Sequence, residues 1–260
     1  MQNRYQEFQD SGVVFIPSLI DAETATVLHR ECLNVLHGDY SLGVVPDKVK
    51  WRPGDSVTCL RSVCNAWKSS RVIRDFIFSN KNIGKIARAI TGWQSVRLNQ
   101  DAILLVPDGA SGVTFHQDDA YQDWIDPPHI VTCWISLTSS GADSSGLLFA
   151  SGSHAWGLSA RVETFADLDD PEEPLRNFAR ENSASYRLDR FHYSPGDATF
   201  HDGRLFHGSD FNSSGKNRCA LALHLMAGQS CFSGVTSPYF SRYRLGDSDE
   251  LHEAFFPFLK

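Results

Sequence analysis

The chain has 260 residues, 42% of them hydrophobic and 12% aromatic, with a formal net charge of −7. That is enough apolar material for a sizeable core, and one all-β barrel-like domain commonly runs to about 250 residues. The acidic balance leaves no basic footprint for nucleic acid or for an anionic membrane surface, and no apolar run approaches the roughly 18 residues of a spanning helix. Six cysteines are scattered without a Cys-x-x-Cys pair, and Cys133 and Cys219 lie in apolar strand-like runs. This argues against structural zinc and for reduced thiols in a cytoplasmic protein. The polar start, Met1 to Glu7, carries no apolar run of signal-peptide length.

In chain order, residues 3–10 read as a short helix, and Gly12 leads into the β-type run Val13-Val14-Phe15-Ile16-Pro17. Asp21 is an N-cap for a helix over 22–37, whose Ala25, Leu28, Cys32 and Leu36 recur at three-and-four spacing. Residues 38–60, rich in Gly and Pro, read as a lid-like loop. Helices are expected over 69–78 and 81–91, the second ended by Gly92.

From Trp93 the texture becomes that of short strands, expected at 95–106, 113–118, 130–138, 146–150, 185–193, 197–201, 204–208 and 218–227, with a helical insertion at 166–183. The reading is mainly β with flanking helices. It is one domain over 1–260: a helical layer (1–92) on a double-stranded β-helix, or cupin-like jelly roll (93–227), with a C-terminal extension (228–260).

His116 and Asp118 stand two residues apart, a spacing that in an extended strand points both into the same space. A second histidine would complete a two-His, one-carboxylate face with open coordination positions, the arrangement of non-haem Fe(II) oxygenases. His207 offers it, and His201 is an alternative. Arg218 opens the run Cys219 to Met226 and shares a face with Ala220, Ala222 and His224; a guanidinium there is costly without an anionic partner such as a carboxylate.

His116-Gln117-Asp118, Trp134 in Thr-Cys-Trp-Ile-Ser-Leu, Gly146-Leu-Leu-Phe-x-x-Gly-Ser-His154 and His207-Gly-Ser-x-x-Asn212…Arg218 together resemble the phytanoyl-CoA dioxygenase-like family of Fe(II)/2-oxoglutarate oxygenases over residues 93–227. The resemblance implies His116, Asp118 and His207 as iron ligands, Arg218 on the distal carboxylate of 2-oxoglutarate, and Ser209 and Trp134 lining that co-substrate. It implies O2-dependent oxidation of a substrate C–H bond, with release of succinate and CO2. The carboxylate of Asp118, where related halogenases have a small residue, implies hydroxylation rather than halogenation.

Asn99, Asp101, Asp119, Tyr121, Trp124, His201 and Arg204 are candidate substrate residues, the first two because Arg97, Asn99, Asp101 and Ile103 share a strand face. His129 and His224 read as satisfied strand histidines. The expected substrate is a small polar metabolite; a short likeness to bacterial aminoalkylphosphonate hydroxylases around His116–Tyr121 puts such compounds among the candidates. The alternatives are a natural-product tailoring oxygenase (hydroxylation, epoxidation, desaturation or ring closure), a non-catalytic metal-binding cupin, and a zinc hydrolase, which would have no use for Arg218. A monomer or homodimer is expected.

Overall fold

The computed structural model describes residues 2–142, 144–166 and 170–260. α1 (Gln2–Ser11), β1 (Val13–Ile16) and α2 (Ala22–Leu36) are followed by β2 (Lys48–Val49), β3 (Arg61–Cys64), α3 (Arg71–Ser79) and α4 (Lys81–Thr91). Then come β4 (Val96–Val106), β5 (Ile125–Asp126), β6 (Ile130–Ser136), β7 (Leu147–Ala150), α5 (Glu173–Glu181), β8 (Leu188–Arg190) and β9 (Ala198–Asp202). The chain closes with β10 (His207–Ser209), β11 (Arg218–Ala227), β12 (Cys231–Phe232) and β13 (Phe258–Leu259). The Asp21 carboxylate accepts from Thr24 N at 2.7 Å and starts α2, while Gly92, at φ 77°, ends α4 in the left-handed region that glycine adopts without penalty.

The strands form a jelly roll. The larger sheet has the order β1-β9-β6-β11-β4-β3-β2, with β13 also paired to β4; the smaller is β10-β7-β8. β5 and β12 form a separate pair. Alternation of side chains gives the larger sheet two different faces. Leu221, Leu223, Cys133, Ile135, Phe200, Ile103 and Leu105 point to the side where Leu28, Cys32, Ile73, Ile77, Ile83 and Ala87 of the helices complete one core. The other face is lined by small and polar groups, and there the cavity lies.

Several expected elements differ. Residues 113–118 are not a strand: only His116 forms an isolated bridge, and a 3-10 turn begins at Asp118. The run at 185–193 narrows to β8, and that at 204–208 gives way to β10, which starts only at His207 and continues to Ser209. The insertion at 166–183 contains α5; residues 167–169 of it lie outside the described residues. The 38–60 segment is not simply a loop, because β2 within it pairs with β3 on the edge of the main sheet. Edge pairing of two- and four-residue strands carries too little periodicity to be read from sequence.

Candidate active site

The register of the larger sheet builds the cavity floor in rows. Gln100, His224, Thr132 and His201 lie side by side across β4, β11, β6 and β9. The next row runs Lys48, Cys64, Ala102, Ala222 and Trp134. His207 and Leu147 of the smaller sheet and His116, Asp118, Tyr121 and Phe165 supply the opposite walls. The cavity volume is about 310 Å³, the scale of a small-molecule site.

His116 and His207 are fastened together by their backbones, His116 N donating to His207 O at 3.0 Å and His207 N to His116 O at 3.1 Å. The Nδ1 of His116 lies 2.8 Å from Thr114 O, and that of His207 lies 2.9 Å from Leu205 O. A carbonyl only accepts, so Nδ1 carries the proton in both rings, which leaves Nε2 as the atom that can coordinate a metal. The two Nε2 atoms face Asp118 Oδ1 at 3.4 and 3.8 Å. These three side chains form one of the two clusters of metal-ligand type among the described residues. Two neutral nitrogens and one carboxylate oxygen on one side suit a divalent first-row metal with positions left open.

The other carboxylate oxygen is occupied. Thr132 Oγ1 donates to Asp118 Oδ2 at 2.6 Å and lies 2.9 Å from His224 Nδ1, which donates to it in turn. Burial works against ionisation of Asp118, but the surrounding imidazoles, His207 first and then His224, outweigh it and hold the carboxyl well below its ordinary range. Burial, and then the neighbouring His116 and His201, push the His207 imidazole well below its usual pKa.

Arg218 is 1% exposed, and none of its three guanidinium nitrogens has a hydrogen-bond partner among the described residues. Burial lowers its pKa to about 10, which still leaves it charged. Its guanidinium carbon sits 5.5 Å from the centre of the Trp134 ring, whose Nε1 is also unpartnered. A buried cation with no partner that faces a cavity suits an anion, and a planar carboxylate matches the fork. The residues present therefore fit both a metal ion and a dicarboxylate beside it.

Of the other sequence candidates, Tyr121 and His201 reach the cavity wall. His201 is fully buried, its Nε2 is 3.6 Å from Asp118 Oδ2, and neither ring nitrogen is hydrogen-bonded among the described residues. It lies outside the ligand cluster.

Five substrate candidates are corrected. Asn99 and Asp101 face away from the cavity: the β4 residues on its wall are Gln100, Ala102 and Leu104. A bulge opposite His224 and Leu225 shifts the alternation of β4. Asp101 instead accepts from the Ala66 and Trp67 amides at 3.0 Å, and Asn99 donates to Gln122 at 2.9 Å. Asp119 is buried behind the site, accepting from Ile130 N and His129, and Arg204 lies 3.5 Å from it, outside the cavity. Trp124 stacks on Phe240 at 4.1 Å in a separate aromatic cluster.

Ser209 does not line the cavity either. Its hydroxyl accepts from Val113 N and Ser145 Oγ, each at 2.9 Å, and ties the segment leading to His116 to β10. His224, read as an ordinary strand histidine, is on the wall with Thr132. The signal for both was available in the alternation of β6 and β11. The residues Lys48, Lys50, Ser237 and Tyr239 on the wall had no such signal.

Fold and cavity together define a class, the jelly-roll dioxygenases that use iron and 2-oxoglutarate. The chain belongs to the phytanoyl-CoA dioxygenase (PhyH) family, whose model matches residues 8–220. Among curated proteins it is similar to the dioxygenase olcK of Penicillium canescens, 23% identical over 229 residues that cover 84% of this chain and 68% of that one. Among solved structures it superposes on SnoK, an alpha-ketoglutarate-dependent carbocyclase of nogalamycin biosynthesis, with a TM-score of 0.76 at 20% identity, covering 100% of this chain and 96% of that one. EctD of S. alaskensis, solved with 2-oxoglutarate and 5-hydroxyectoine, gives 0.73 at 17% identity over 97% of this chain and 87% of its own. No described helix is long and apolar enough to cross a membrane.

Proposed function

We propose that His116, Asp118 and His207 hold Fe(II), that Arg218 grips the distal carboxylate of 2-oxoglutarate with Trp134 beside it, and that the enzyme hydroxylates a C–H bond of a small polar metabolite. The observation that carries this reading is Arg218, buried and unpartnered in the same cavity as the three convergent donors. Bound there, iron and 2-oxoglutarate would supply the oxidant, with O2 consumed and succinate and CO2 released. The protein's own residues bind and orient. The backbone bridge between His116 and His207 sets two donors, and Thr132 restrains Asp118 so that Oδ1 is the free oxygen.

Aromatic walls at Tyr121, Phe165, Tyr239 and Phe240 support a second reading, a tailoring oxygenase acting on a larger natural-product intermediate, like the nogalamycin carbocyclase among its structural relatives. On either reading the partner is a small molecule, not nucleic acid or membrane, and residues 1–260 act as one cytoplasmic oxygenase domain. The test is a metabolite screen, aminoalkylphosphonates included, in which Fe(II)-loaded enzyme is supplied with 2-oxoglutarate and O2 and assayed for succinate. One compound giving succinate in step with its oxidised product is the expected result; absence of any Fe(II)- and O2-dependent 2-oxoglutarate turnover overturns the reading.

Thr132 offers a finer check. Thr132→Val removes the donor to Asp118 Oδ2 and should weaken metal binding by about 10- to 100-fold, while Thr132→Ser restores it. Titration of apoprotein with Co(II), followed by its absorption, reads this without turnover; equal affinity in Thr132→Val would show that Asp118 needs no such restraint.

A further inference from the structure

Lys48 and Lys50 flank Val49 on β2, so both stand on one face while Val49 packs toward the helical core. The register fixes which face: Lys48 pairs with Cys64, Cys64 with Ala102, and Ala102 with Ala222, a row that forms cavity floor. Lys50 N donates to Ser62 O at 2.9 Å, continuing the ladder, and Ser62 also lines the cavity. Each ammonium lies over an aromatic wall, Lys48 Nζ 4.7 Å from the Tyr239 ring centre and Lys50 Nζ 4.8 Å from that of Phe165. A cation over a ring face is held in place without being neutralised.

The carboxylates on the same wall are already engaged. Asp47 accepts from Asn65 at 2.6 Å, Lys68 at 2.9 Å and Tyr243 at 2.5 Å, and pairs with Arg242 at 3.2 Å. Asp123 pairs with Arg161 at 2.5 Å, and Asp118 belongs to the metal cluster. Neither Lys48 nor Lys50 is in an ion pair among the described residues. Desolvation, and then the charge of Lys48, lower the pKa of Lys50, so the two cations face each other's field. β2 is three strands from β11 across the sheet, roughly 14 Å at the usual spacing, so this pair is distinct from the guanidinium of Arg218.

We propose that Lys48 and Lys50 form a subsite for an anionic group of the substrate, a carboxylate or a phospho group, whose organic part rests between Phe165 and Tyr239. This deepens the oxygenase reading and rests on it in assigning Arg218 to 2-oxoglutarate, so that the second anion site is left for the substrate.

The probes are phenylphosphonate, phenylacetate and the neutral phenylacetamide, titrated calorimetrically into full-length protein saturated with Mn(II) and 2-oxoglutarate. Both anions should bind the wild type more tightly than the amide, and Lys48→Gln/Lys50→Gln should lose about tenfold or more for the anions and nothing for the amide. Lys48→Arg/Lys50→Arg should keep the binding. A preference for phenylphosphonate assigns a phospho group, and a preference for phenylacetate assigns a carboxylate. Equal affinity for anion and amide, or anion binding undiminished in the glutamine variant, overturns the subsite. Loading of Mn(II) and 2-oxoglutarate is read first on the wild type, so failure of the oxygenase reading shows there.

Discussion

Arg218→Met should weaken 2-oxoglutarate binding to the metal-loaded protein by roughly 30- to 5000-fold, the equivalent of the ~2–5 kcal/mol lost when one partner of a buried, hydrogen-bonded charge pair is truncated. The effect on the ligand-free protein should have the opposite sign. In the wild type the guanidinium is buried with no counter-ion and no hydrogen bond among the described residues, an arrangement that costs stability. Methionine fills similar space without charge, so the ligand-free variant should melt at or above the wild-type temperature. 2-Oxoglutarate should raise the wild-type melting temperature by mass action and shift the variant's much less at the same concentration. Calorimetry on Mn(II)-loaded protein and thermal melts with and without 2-oxoglutarate measure both. If the variant bound 2-oxoglutarate as the wild type does, or unfolded well below it when ligand-free, Arg218 would be a structural cation.

Asp118→Ala should abolish succinate release and lower Co(II) or Mn(II) affinity by more than the roughly 100-fold at the top of the range for outer hydrogen-bonding partners. The variant loses the anionic ligand, and Thr132 Oγ1 loses its acceptor as well. Asp118→Asn separates these contributions. Its amide carbonyl still accepts from Thr132 but brings no charge to the metal, so its affinity should fall between those of alanine and aspartate. Tight Co(II) binding with an unchanged spectrum in Asp118→Ala would place the metal elsewhere, with the buried His201 or the separate cluster of Asp119, His129 and Asp202 as the next positions to test.

The site was legible where chemistry is local in sequence. The His116-x-Asp118 spacing survives although the segment is not a strand, because Gln117 is extended (φ −113°, ψ 129°) before the turn at Asp118. Arg218 was legible because a charge on the small-residue face of an otherwise apolar strand requires a partner. Asn99 and Asp101 misled for the converse reason. Polar residues at alternate positions suggested a cavity lining, but Asp101 shares its face with Ile103 and Leu105, which pack into the helical core, and the buried amides of Ala66 and Trp67 needed an acceptor that Asp101 provides.

By itself the sequence determined the order of the helical layer and the β-rich part, the caps at Asp21 and Gly92, and the residue types of a two-histidine, one-carboxylate site with an arginine behind it. These follow from periodicity, capping and charge, which act over a few residues. The tertiary structure alone decided that Thr132 and His224 brace Asp118, that Ser209 and Trp124 are packing residues, and that the edge strand β2 turns two lysines toward the cavity. Each of those depends on register between strands distant in the chain, and register is set by which faces can be buried together rather than by any one segment.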